Sequence, residues 1–88
     1  MKKFILMGEE FVNRDKAYEH MDKVFKFPQS FGDNLDALWD ILSMEENLDV
    51  EIVDARLIPR SLGDYGLNIL DVFGDLSKMN DNKIEIMW

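Results

Sequence analysis

Pro28-Gln29-Ser30-Phe31-Gly32-Asp33-Asn34-Leu35-Asp36-Ala37-Leu38-Trp39-Asp40-Ile41-Leu42-Ser43 is the stretch on which the reading of this chain turns. Pro28 and Gly32 punctuate a loop, and Asp33 or Asn34 can cap a helix by accepting a free N–H of its first turn. A helix from about Leu35 to Met44 follows. With Leu35 at zero and about 100° per residue, Leu42, Leu38 and Ile41 fall at about 340°, 300° and 240°. Those four side chains make an inward face. Asp36, Asp40 and Ser43 fall at about 100°, 140° and 80°, a polar stripe about 60° wide, with Trp39 on its border at about 40°. Asp36 in the first turn suits the positive end of the helix dipole. Asp40, four residues on, repels it by about 0.2–0.5 kcal/mol on an exposed helix. Lysine at either place would have been more stable, and such a local inconsistency often marks a functional site. A cationic pocket on a partner would turn the repulsion into attraction. The alternative is that a distant base, such as Arg56 or Lys78, folds over the pair.

The charge pattern around the stretch points the same way. From Phe27 to Ala55 there is no lysine or arginine, but there are eight acids: Asp33, Asp36, Asp40, Glu45, Glu46, Asp49, Glu51 and Asp54. The rest of the chain carries ten acids against ten bases, so this segment accounts for the net charge of −8. Such a surface repels nucleic acid and anionic membranes and attracts a basic partner, unless it is merely a solvated face.

Composition excludes several chemistries. The 88 residues include no cysteine and one histidine. Disulfide scaffolds, thiolate zinc sites, iron–sulfur clusters and cysteine nucleophiles are therefore out. The longest apolar run, Phe4 to Met7, is far short of the ~20 residues of a membrane span. Glu9 and Glu10 follow too soon for a signal peptide, so the expectation is a cytoplasmic protein opening on a buried strand. His20, beside Glu19, is expected on a solvated helix face, and no serine stands in a nucleophile-elbow context. Paired carboxylates serve glycosidases and aspartic proteases, but those sites are concave. The pair also lacks the ligand spacing of a calcium loop. No enzyme, cofactor or metal is expected.

Outward from the central helix, the periodicities give the remaining elements. Phe4 to Met7 reads as a strand. Ala17, Tyr18, Met21, Val24 and Phe25 share one helix face, capped by Asn13 or Asp15 and stopped by Pro28. Val50 to Asp54 is a strand. Ala55 to Leu62 is a short helix or a loop, because of Pro59. Gly63-Asp64-Tyr65-Gly66 is turn-like, Leu67 to Met79 a helix, Asn80-Asp81-Asn82 a turn, and Lys83 to Trp88 a strand with Ile84, Ile86 and Trp88 inward. Strands separated by helices pair in parallel through right-handed crossovers. The fold class is α/β: one domain over residues 1–88, with a three-stranded parallel sheet and three to four helices. No glycine-rich dinucleotide or phosphate-loop motif occurs.

The central segment, Pro28-x-x-Phe31-Gly32-x-Asn34-Leu35-Asp36-Ala37-Leu38-Trp39-Asp40, resembles that of the barstar family, intracellular inhibitors of the bacterial ribonuclease barnase. The opening Lys-Lys and strand, Gly8-Glu9, Val72-Phe73 and the apolar last strand extend the likeness along the chain, as pattern more than identity. The resemblance implies a small parallel sheet with helices against it. It also implies an inhibitor that enters a basic ribonuclease active site with an acidic helix and its preceding loop, one-to-one. Neither direct nucleic-acid nor membrane contact is implied, and the free protein is expected to be a monomer. By resemblance Asp40 is the dominant aspartate, facing arginine or lysine and a histidine at the phosphate site, and Asp36 is the second acid. Ser43 supplies a hydroxyl one turn on, and Trp39 flanks. Gly32, Asn34 and Leu35 approach the enzyme backbone, and Asp75 matches a peripheral acid of the last helix. Ser30 stands where the family often has an aromatic, Phe31 keeps the next aromatic without a hydroxyl, and Glu45-Glu46 replaces a Gly-Trp-like continuation. These departures leave open a divergent ribonuclease as target, or an adaptor module that binds another basic protein.

Overall fold

Strand β2 (Asp49–Val53) lies at the centre of the sheet, paired in parallel with β1 (Lys3–Met7) on one side and β3 (Lys83–Ile86) on the other. The computed structural model describes residues 2–88. Register sets Phe4 beside Val50 and Ile84, and Leu6 beside Ile52 and Ile86. Strand side chains alternate between faces, so these six form one apolar row, in which Leu6, Val50 and Ile52 are fully buried. The other face carries Lys3, Asp49 and Lys83 in one row and Ile5, Glu51 and Glu85 in the next. Lys3 reaches Glu51 at 2.7 Å across it. The continuous apolar run suggested a buried β1, but Ile5 is 46% exposed. Parallel sheets are usually covered on both faces; here the outer face is left to charged side chains.

Helix α1 (Arg14–Phe25) packs on β1. Asn13 is its cap, accepting from the Lys16 amide at 2.8 Å. The helix ends before Pro28 acts on it: Lys26 turns left-handed (φ 58°) and its amide closes on the Asp22 carbonyl. Helix α2 (Leu35–Leu42) packs chiefly against α4 (Asp64–Leu76), and α4 also packs on the short α3 (Leu57–Leu62). Pro59 fits α3 because it lies in the first turn, where no intrahelical N–H bond is required. The expected turn at Gly63–Gly66 shrinks to one residue. Gly63 alone breaks the path (φ 62°, ψ −136°), and Asp64, Tyr65 and Gly66 are already helical. Gly66 is needed for close approach instead, since a Cβ there would lie 2.6 Å from the Ile58 carbonyl oxygen. Helix α4 stops at Leu76, short of the expected Met79, and tightens into turns with the Lys78 amide on Asp75 and the Met79 amide on Leu76.

The core lies between the apolar face of the sheet and the helices, with Phe11, Met21, Leu38, Ile58, Ile69, Phe73 and Leu76 fully buried. The last strand ends at Ile86. Trp88, expected inward, is 61% exposed, and its carbonyl accepts from Arg56 at 2.8 Å. His20 is not on a solvated face either. It is half-buried, its Nε2 accepts the Met7 amide at 2.9 Å, and its ring stands edge-on to Phe11. The bond ties the middle of α1 to the end of β1, thirteen residues away, a contact that helical periodicity cannot show.

Candidate functional site: the acidic face of the second helix

The segment before α2 is held by aromatic packing. Phe31 stacks on Phe27 with ring centroids 4.2 Å apart, Phe27 on Phe25 at 5.5 Å, and Phe25 on the buried Phe73 at 6.2 Å. On its other side Phe31 meets Tyr18, whose hydroxyl bonds that of Tyr65. Burial, then that bond, raises the Tyr18 phenol above its ordinary value, so it stays neutral. Arg14 covers the Tyr65 ring at 4.4 Å. The Phe31 amide closes a turn on the Pro28 carbonyl, leaving Ser30 exposed at its tip.

Asp33 then adopts left-handed φ (45°), which aspartate tolerates. Asn34 is the cap of α2: its Oδ1 accepts the Ala37 amide at 2.8 Å while its Nδ2 donates to the Gly32 carbonyl at 3.0 Å. One side chain thus fixes both the helix start and the loop entering it. Leu38 and Leu42 are buried, and Leu35, Ile41 and Trp39 are partly buried. The inward face read from the sequence is the observed one, and Trp39 borders it.

Asp36 and Asp40 are both exposed, and among the described residues neither has an ion-pair partner. Arg56 pairs with Asp54 instead, at 3.1 Å. The acidic surface is narrower than the segment's sequence suggested. Glu51 is taken by Lys3 and Asp54 by Arg56, while Asp33, Asp36, Asp40, Glu45 and Glu46 remain exposed and without ion-pair partners among the described residues. Ser43 is partly buried, its Oγ 3.4 Å from the Asp40 carbonyl oxygen. Gly32 and Asn34 are exposed beside the helix start. Asp75 is exposed on α4, where it lines a shallow groove with Asp71, Lys78, Ile86 and Trp88; no residue of α2 lines that groove.

Two asparagines that read only as turn residues prove important here. Asn80 Nδ2 donates to the carbonyls of Ser43 at 3.0 Å and Glu45 at 3.2 Å. Asn82 accepts the Leu48 amide at 2.8 Å and donates to the Leu76 carbonyl at 2.9 Å. Turn composition was the only signal for either residue, and it cannot reveal a partner more than thirty residues away. Among the described residues no group of three acids or histidines is placed to hold a metal ion.

A family model described as Barstar (barnase inhibitor) matches residues 1–88. The chain belongs to the barstar family. A Bacillus subtilis (strain 168) protein named "Putative ribonuclease inhibitor YrdF" is 28% identical over 89 residues, which cover 99% of this chain and 98% of that protein. Within the barstar family the three-stranded parallel sheet here presents an exposed acidic helix, entered by a loop that aromatic stacking and a two-way asparagine cap hold in place.

Proposed function

We propose that this chain is a non-enzymatic inhibitor of a basic, barnase-type ribonuclease, acting by seating α2 and its preceding loop in the nuclease active site. The observation that carries this reading is the pair Asp36 and Asp40, exposed on one helix stripe with no cation drawn over them among the described residues. Family membership and the inhibitor name of the B. subtilis relative support it. Carboxylates on that stripe would occupy positions taken by RNA phosphates and meet the cationic groups that bind them. Asp40 is the central contact and Asp36 the second, with Ser43 and Trp39 flanking. Ser30, Phe31, Gly32, Asn34 and Leu35 form the approach from the loop side, and Asp75 is a peripheral acid.

Aromatic stacking and the Asn34 cap hold the loop in one conformation, so association should lose little conformational entropy there. Opposite charges steer encounter, and association should be fast at low salt and slow as salt rises. The complex is one-to-one and formed by a free monomer, in the cytoplasm, where it would keep a nuclease inactive before secretion.

Calorimetric titration against purified barnase, with RNA cleavage followed in parallel, tests the proposal. Tight one-to-one binding with loss of cleavage, both abolished by Asp36→Asn/Asp40→Asn, is the expected result. Binding that survives the double substitution would place the contact elsewhere. No binding would reject barnase as the target and favour a divergent nuclease or an adaptor role.

A further inference from the structure

The last four carbonyls of a helix have no partner within it and must be satisfied from outside. Helices commonly meet this need with a left-handed glycine just beyond the end, or with a lysine or arginine in the last turn. Helix α2 has neither: Met44 and Glu45 follow Ser43, and its last turn holds no base. Local groups cover the carbonyls of the last turn, with the Ser43 hydroxyl on that of Asp40 at 3.4 Å. Ser43 bonds back to Trp39 at 2.8 Å, Met44 to Ile41 at 3.3 Å and Glu45 to Leu42 at 3.2 Å. The next carbonyls out, that of the C-cap Ser43 and that of Glu45 beyond the helix, are taken by the Asn80 side chain from the turn between α4 and β3. The Asn80 carbonyl in turn accepts the Asn47 amide at 2.9 Å. The loop fixed in this way exposes Glu45, Glu46 and the side chain of Met44, which is 84% exposed.

The chemical identity of this clamp matters. A lysine or arginine here could have donated to the same carbonyls and opposed the negative end of the helix dipole. It would also have placed a cation beside the acidic stripe. An amide supplies donors with no net charge. The structure therefore closes the helix end and leaves its field intact.

We propose that Asn80 is a positioning residue for the partner-binding face, acting through the C-terminal turn of α2 and the Met44–Glu46 loop. This rests on the ribonuclease-inhibitor reading above. Asn80 touches the partner only through what it holds: Ser43 directly, and Glu45 as an added contact for a basic surface.

The test is a double-mutant cycle on barnase association and dissociation rates, joined to amide hydrogen exchange of the free protein. Asn80→Gly removes the amide and still accepts the left-handed backbone (φ 54°) of that position. Asn80→Gly is expected to weaken binding about tenfold, mainly through faster dissociation. In that background Glu45→Gln should cost almost nothing further, whereas Asp36→Asn at the other end of the helix should cost as much as it does in the unaltered chain. Faster exchange of the Met44, Glu45 and Asn47 amides in Asn80→Gly is expected in the free protein. Unchanged exchange overturns the positioning role whatever the partner does. Additive effects of Asn80→Gly and Glu45→Gln, or unchanged affinity, overturn the link to binding. If the unaltered chain fails to bind barnase, the barnase-type target falls and the binding half of this proposal falls with it, while the exchange result still decides the positioning half.

Discussion

Replacing Asp40 with alanine should make the free protein more stable and the complex weaker. Asp40 is exposed, lies in the last turn of the eight-residue α2 and has no ion-pair partner among the described residues. Its removal relieves three unfavourable effects. Repulsion from Asp36 at i, i+4 is about 0.2–0.5 kcal/mol. A negative charge at the negative end of the helix dipole costs about 0.3–1 kcal/mol. Aspartate is also a poorer helix former than alanine by up to about 0.7 kcal/mol. Screening at physiological salt trims the two charge effects, leaving a gain of about 1 kcal/mol. For a domain of this size that is a rise in Tm of about 4–8 °C. Binding should move the opposite way by at least about 2 kcal/mol, or about thirtyfold, as for a central charged contact. Thermal unfolding of the free protein and titration with barnase, each at low and at 0.15 M salt, read the two quantities separately. A fall in Tm would show that Asp40 is a structural residue and refute the description of the stripe as self-repelling. A gain in Tm with unaltered binding would remove Asp40 from the interface.

Three further outcomes can be checked without a partner. His20 accepts the Met7 amide, and burial, outweighing Glu10, lowers its pKa below 6.5, with Lys23 acting the same way. The unfolded chain therefore binds that proton more readily. The His20 contribution should be complete above the unfolded value and be lost as pH falls through the lower folded value. Urea unfolding between pH 8 and 5 should show a shallower acid-side decline in His20→Gln, and identical declines would refute the assignment. Gly74→Ala should stabilise by about 0.5–1 kcal/mol, because a Cβ there has no atom within 4 Å and α4 gains helix propensity. Gly66→Ala should destabilise by about 1–3 kcal/mol, because its Cβ would press on the Ile58 carbonyl; denaturation midpoints of the two variants moving in the same direction would contradict this.

Much of this was legible in the sequence because it depends on local periodicity. The inward face of α2, the acidic stripe and the paired cap candidates, Asn13 or Asp15 and Asp33 or Asn34, follow from spacings within a turn or two, and the parallel pairing follows from strands separated by helices. The errors share one cause. His20 looked solvated because its partner is a backbone amide of β1, thirteen residues away. Gly66 looked like a turn because glycine signals either a backbone freedom or a close neighbour, and only the packing of α3 on α4 distinguishes them. Glu51 and Asp54 counted toward an open acidic patch until tertiary contact supplied Lys3 and Arg56. Asn80 and Asn82 offered nothing beyond turn composition. Ile5 continued an apolar run onto the open outer face of the sheet, and Trp88 continued an alternation past Ile86, where the strand ends.

Trp39 gives the molecule an optical property of its own. Its indole packs partly on the core and partly toward solvent beside Asp36 and Asp40, where emission responds to local polarity and to nearby charge. A partner that dries this edge would shift the emission to shorter wavelength, while one that brings a quenching cation or histidine would dim it. Trp88, just beyond the last strand and 61% exposed, would add a steady solvent-like background as long as a partner leaves it uncovered. Occupancy of the acidic face could then be followed in the unlabelled chain, with the two indoles serving as signal and internal reference.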